Sequence, residues 1–167
     1  MDAKKESNPG PGNQTTAERI SDREMVIRRT FNAPVHLVYQ AWTRPEQFKR
    51  WWAPKSFGVP LRSVELDVRV GGKYRVVFDQ GPEGMAFFGK YLEVVPGSKL
   101  VWTNEEGGEG GPITSVTFEE KNGKTLLVLT ELHASKQSLD DNLGASEGLA
   151  ETFGQLDELL VDLRSGA

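Results

Sequence analysis

Apolar positions change their period twice along the chain. Met25, Ile27 and Thr30-Phe31 form a short β-prone run that ends at Asn32-Ala33-Pro34. Pro34 suits the first turn of a helix, where its missing N–H costs nothing. Val35, Val38, Tyr39 and Trp42 then recur at helical spacing. Pro45 ends that helix and opens a second, Pro45 to Trp51, with Phe48, Trp51 and Trp52 on its apolar side. Pro54 stops it.

From Phe57 to His133 the period becomes two. The strand-like runs are Gly58–Leu66, Lys73–Asp79, Met85–Val95, Leu100–Asn104, Ile113–Glu120 and Thr125–His133. Turn chemistry separates them: Gly71-Gly72, Gly81 to Gly84, Pro96-Gly97-Ser98, Gly107 to Pro112, and Asn122-Gly123. Asn-Gly between two apolar runs is a strong hairpin signal. Short separators without helices predict an antiparallel meander. Tyr74, Val76 and Phe78 alternate with Arg75, Val77 and Asp79, so one sheet face is buried and the other wetter.

The period then returns to that of a helix. Leu149, Phe153, Leu156, Leu160 and Leu163 make one stripe in a long last element, Leu139 to Leu163. Gly144 and Gly148 keep its first half thin. A buried sheet face and a long apolar helix must cover each other. The order predicts an α+β helix-grip fold: an antiparallel curved sheet around a long C-terminal helix, with two short helices after the first strand. The thin half of the last helix predicts a cavity between it and the sheet.

Composition adjusts this picture at the N-terminus. Up to residue 24 the only apolar residues are Met1, Ala3, Ala17 and Ile20. Such a segment buries too little to offset its ordering entropy. The expectation is a disordered tail over 1–22 and a single domain over 23–165. The formal net charge of −4 argues against a nucleic-acid or anionic-membrane binder. The absence of Cys removes disulfides, thiol nucleophiles and Cys-based metal sites, and two His leave little for any metal. No metal and no cofactor are expected. No run approaches the roughly 18 apolar residues of a membrane span, and no secretory signal opens the chain. These features read as a cytoplasmic protein.

Several pieces together resemble a known family. They are Ala33-Pro34, Val38, Ala41-Trp42-Thr43, Pro45 and Trp51-Trp52-Ala53-Pro54, then Leu66 to Tyr74, then Gly89 to Pro96, then Leu100 to Thr103. In this order, across roughly 24–163, they resemble the activator of Hsp90 ATPase homologue family. That family lies within the START-like, birch-pollen-allergen-like (SRPBCC) superfamily. The resemblance implies a helix-grip fold with a cavity between sheet and final helix. The superfamily includes lipid carriers, polyketide cyclases, hydrolase-like proteins and a co-chaperone domain. Where many members carry Trp in the final helix, this chain has Phe153.

Candidate site residues follow from this topology. Of Trp42, Trp51, Trp52, Phe57, Phe78, Phe87, Trp102, Phe118 and Phe153, many are expected to point toward the gap between sheet and helix. They could line a pocket for an apolar or aromatic molecule. Trp51 and Trp52 are neighbours about 100° apart on a helix, so one belongs at a rim or an interface. Ser146, with Leu149, sits on the apolar stripe where the sheet is expected to stand away. Glu131 and His133 share parity with Leu127 and Leu129. They are the candidates for acid–base work or ligand anchoring. The glycine run from Gly107 to Gly111 joins two strands rather than a strand and a helix, so it is no phosphate loop.

Three functions remain open at this point. One is binding of a hydrophobic or aromatic small molecule. The second is a cyclase or hydratase that uses Glu131 or His133. The third is a co-chaperone-like module with a protein partner. Oligomeric state is left open.

Overall fold

The computed structural model describes residues 15–108 and 110–165; the side chains of residues 144–147 lie outside the description. Among the described residues, eight strands form one antiparallel curved sheet. They are β1 (Thr16–Arg19), β2 (Glu24–Phe31), β3 (Leu61–Leu66), β4 (Lys73–Phe78), β5 (Met85–Val95), β6 (Lys99–Thr103), β7 (Ile113–Lys121) and β8 (Lys124–Leu132). Their order across the sheet is β1-β2-β8-β7-β6-β5-β4-β3. Strands β3 to β8 pair in sequence as a meander, and β2 returns to pair with β8. Helices α1 (Val35–Thr43) and α2 (Pro45–Trp51) follow β2, and a single turn, Lys55–Phe57, leads into β3. The helix-grip class is thus the observed one.

Two expectations are corrected. Residues 1–14 of the expected tail lie outside the described residues, but Thr16–Arg19 form an edge strand on β2, with Thr16 opposite Arg28 and Arg19 opposite Met25. All four are exposed. An edge strand is held by backbone pairing, which an argument from buried apolar surface does not register. The last element is also two helices. Asn142 (φ −109°, ψ 10°) separates α3 (Lys136–Asp141) from α4 (Leu143–Arg164). The Asn142 side chain donates back to the Ser138 carbonyl at 2.8 Å, the kind of local bond by which Asn competes with a continuing helix.

The core follows the stripes. Ile27, Phe31, Val116, Leu127 and Leu129 come from the sheet, and Phe153, Leu156, Leu159 and Leu160 from α4. Eight strands about 4.8 Å apart span more than 30 Å, whereas one helix is about 10 Å wide. Helix α4 therefore covers only part of the sheet: it packs on β2, α1, α2 and α3. Helix α1 lies over β7 and β8, and α2 reaches β3. The inner face of β3 to β6 is left to the aromatic side chains beneath the two short helices.

Candidate functional site

Those side chains line a half-open cavity of about 170 Å³. Trp42 on α1, with Phe48 and Trp52 on and just past α2, forms one wall. The sheet supplies Leu66 from β3, Tyr74, Val76 and Phe78 from β4, Phe87 and Tyr91 from β5, and Trp102 from β6. Asn104, just past β6, completes the lining. The alternation of β4 explains its share: Tyr74, Val76 and Phe78 face the cavity while Arg75 is exposed. Close approach shapes the far strands. A Cβ at Gly89 would lie 2.2 Å from the Thr103 carbonyl oxygen, so only glycine lets β5 and β6 meet there.

The wall is apolar and uncharged among the described residues. Burial pushes the Tyr74 phenol well above its ordinary range, with nearby Glu106, Tyr91 and Glu105 adding to it. Burial does the same to Tyr91, helped by Tyr39 and Asp67. Both therefore stay protonated and neutral. The Tyr74 hydroxyl donates to the Thr103 carbonyl at 2.7 Å. The Asn104 amide donates to the Pro112 carbonyl and to Thr114 Oγ1, each at 2.9 Å.

Of the residues expected in a pocket, Trp42, Trp52, Phe78, Phe87 and Trp102 line this cavity. Trp51 and Trp52 part as neighbours on a helix must. Trp51 is fully buried and gives its indole N–H to the Ala41 carbonyl at 2.9 Å, while Trp52 stacks on Phe48 with ring centroids 4.9 Å apart. Phe118 and Phe153 belong to the packed core rather than to the wall. Phe153 meets Phe31 edge to face at 5.7 Å. Phe57 is corrected outright. It is 61% exposed, on the single turn that ends at the left-handed Gly58 (φ +69°), which carries the chain along the surface. Leu149 is half-buried on α4 and packs against the core. Ser146 lies on α4, but its side chain is outside the described residues. No described residue of α4 lines the cavity. The cavity lies under α1 and α2, the short helices that pack over this part of the sheet.

Glu131 and His133 do come together, but outside the cavity. His133 is 1% exposed just past the end of β8, and its backbone N–H donates to the Arg23 carbonyl at 2.7 Å. Its Nδ1 lies 2.9 Å from Ser138 Oγ on α3, and its Nε2 lies 3.4 Å from Glu131 Oε1. Strand β7 separates β8 from the cavity strands. Sequence reasoning missed Phe48, Leu66, Tyr74, Val76, Tyr91 and Asn104 as wall residues. The alternation of β4 carried the signal for two of them, Tyr74 and Val76. Asn104, past the end of β6, left none.

The curved sheet, two short helices and long C-terminal helix define a helix-grip α+β protein. The model of the family described as activator of Hsp90 ATPase homolog 1-like protein matches residues 32–161, and the chain belongs to that family. Solved structures agree. A protein of Nitrosomonas europaea is 26% identical with a TM-score of 0.74, over 87% of this chain and 98% of its own. One of Mycobacterium smegmatis is 25% identical at 0.76, over 89% and 99%. An AHSA1-like protein of Aeromonas hydrophila shares the fold at 20% identity and 0.64, over 80% and 93%. No curated protein matches the chain at a significant level. Among the described residues, no helix is long and apolar enough to cross a membrane.

Proposed function

We propose that this chain binds a hydrophobic, aromatic small molecule in the cavity under α1 and α2. The observation that carries the reading is the wall itself: aromatic and aliphatic side chains with a few polar groups, the usual make-up of a ligand site. The volume sets the scale. An apolar cavity of about 150 Å³ takes up benzene, so about 170 Å³ accommodates one substituted ring. The cyclase or hydratase reading has less support. It needs an acid–base group beside the substrate, and among the described wall residues there is no carboxylate and no imidazole.

The test is titration with ethylbenzene, followed by Trp fluorescence and ligand-observed NMR, alongside native mass spectrometry of protein purified without detergent. Saturable binding, abolished by the cavity-filling substitution Val76→Trp, is the expected result. No binding of ethylbenzene and no co-purifying molecule would overturn the reading and put the protein-interaction module ahead.

A further inference from the structure

Tyr91 on β5 has one polar group left without a partner. Its backbone is spent: the N–H donates to the Gly72 carbonyl and the carbonyl accepts from the Gly71 N–H, each at 2.8 Å. Tyr91 pairs with Trp102 across β5 and β6, and both line the cavity. Its ring lies 6.0 Å from that of Tyr74 and 6.5 Å from that of Trp102, centroid to centroid. The two phenols differ at the hydroxyl. That of Tyr74 donates to the Thr103 carbonyl at 2.7 Å. That of Tyr91 makes no hydrogen bond among the described residues. Yet it is not sealed. The buried side-chain polar atoms with neither a partner nor accessible surface are, among the described residues, Arg29 Nε, Trp42 Nε1 and Gln47 Oε1. The Tyr91 hydroxyl keeps accessible surface on a residue that is 4% exposed overall. Buried polar groups are nearly always paired, so a hydroxyl both unpartnered and reachable is open to a partner from outside the chain.

We propose that this hydroxyl faces the cavity and that Tyr91 determines specificity there: it selects an uncharged single-ring aromatic compound whose ketone, aldehyde or ether oxygen accepts the Tyr91 O–H. The proposal rests on the ligand-binding reading above and specifies its chemistry. Burial holds the phenol protonated, so it offers a donor to that oxygen. No Lys, Arg or His lines the cavity among the described residues. An unpaired charge taken out of water is far costlier than a neutral acceptor, which favours an uncharged ligand. A pure hydrocarbon fits the walls and leaves the hydroxyl unmet.

Acetophenone and ethylbenzene are close in size and differ in the oxygen. Their affinities are measured for the wild type, Tyr91→Phe and Tyr74→Phe. Tyr91→Phe keeps the ring and deletes only the hydroxyl. It is expected to weaken acetophenone about fivefold, the worth of one neutral hydrogen bond, and to leave ethylbenzene unchanged. Tyr74→Phe should not separate the two ligands, since its hydroxyl is spent on the protein. The infrared carbonyl band of bound acetophenone should lie lower in the wild type than in Tyr91→Phe. Equal acetophenone affinities in the wild type and Tyr91→Phe, with an unmoved band, would mean that the hydroxyl meets only water: the proposal falls and the ligand-binding reading stands. Selective loss of acetophenone in Tyr74→Phe instead would overturn the proposal. Benzoate binding more tightly than acetophenone would overturn the uncharged ligand class. If neither aromatic binds, both readings fall. Should Tyr91→Phe fail to fold, the wild-type band decides, and a position no lower than in hexane overturns the proposal.

Discussion

Gln155 on α4 donates its side-chain amide to the Trp51 carbonyl at the end of α2, at 2.9 Å. The same amide reaches the Ala53 carbonyl at 2.9 Å, and its oxygen accepts from the Lys55 N–H at 2.8 Å. The last carbonyls of a helix have no partner within it, so one buried glutamine satisfies the chain where α2 gives way to the loop. It thereby fixes the segment that carries Trp51 and Trp52. Gln155→Met keeps the shape and removes all three bonds. It should destabilise by at least about 2 kcal/mol, since each unmet buried group costs about 1–3 kcal/mol. Urea unfolding measures this, and a change below about 0.5 kcal/mol would show that the contact is idle.

The stripe of α4 makes a second prediction. Leu156 is fully buried, while Val161 on the same helix is 66% exposed. Leu156→Ala should cost roughly 2–5 kcal/mol. Val161→Ala should stay within about 0.5 kcal/mol. Equal effects in denaturant melts would mean that α4 presents a different face to the sheet.

The fold was legible in the sequence because its signals are periodic. Alternation in β4, the Asn122-Gly123 turn and the Leu149–Leu163 stripe each depend on local geometry that a sequence pattern records. The edge strand Thr16–Arg19 was not legible, because its pairing is a property of backbone and its side chains are all exposed. Part of the cavity wall was legible as a set of aromatics. Its place was not, since that depends on how far one helix extends across eight strands. Phe57 and Phe153 show the limit: both are aromatic and near the gap in sequence logic, yet one is exposed and the other is core. Gln155 gave no signal because a lone Gln in a helix is ordinarily solvated.

His133 carries the third prediction. Inward parity on β8 placed it with Glu131 in the pocket, whereas it is buried between β8, Arg23 and Ser138 of α3. Its work there is to hold the start of the C-terminal helices against the sheet. His133→Phe should lose the bonds to Ser138 and Glu131 and destabilise by about 1–3 kcal/mol. Affinity for ethylbenzene should be unchanged in the folded variant. A weakened ligand with unchanged stability would return His133 to the site.

The last prediction concerns alkaline pH. Burial raises the phenol pKa of Tyr74 and of Tyr91 above the ordinary 10.0. Below that value both phenols are protonated whether the chain is folded or unfolded, and stability does not depend on them. Above it the unfolded chain releases protons that the folded chain retains. Stability therefore falls as pH rises past about 10, because the folded state binds more protons there. Unfolding free energies measured in steps from about pH 8 to about pH 11 should bend downward near the ordinary tyrosine pKa. Tyr91→Phe should flatten the bend. Tyr74→Phe should flatten it too, while costing about 0.5–1.5 kcal/mol at neutral pH through the lost bond to the Thr103 carbonyl. Ligand affinity should hold constant up to the same pH, since the wall remains neutral. A decline in affinity near neutrality would mean that a group outside the described wall titrates with the ligand. An alkaline bend of equal size in the wild type and both variants would assign it to residues other than these two tyrosines.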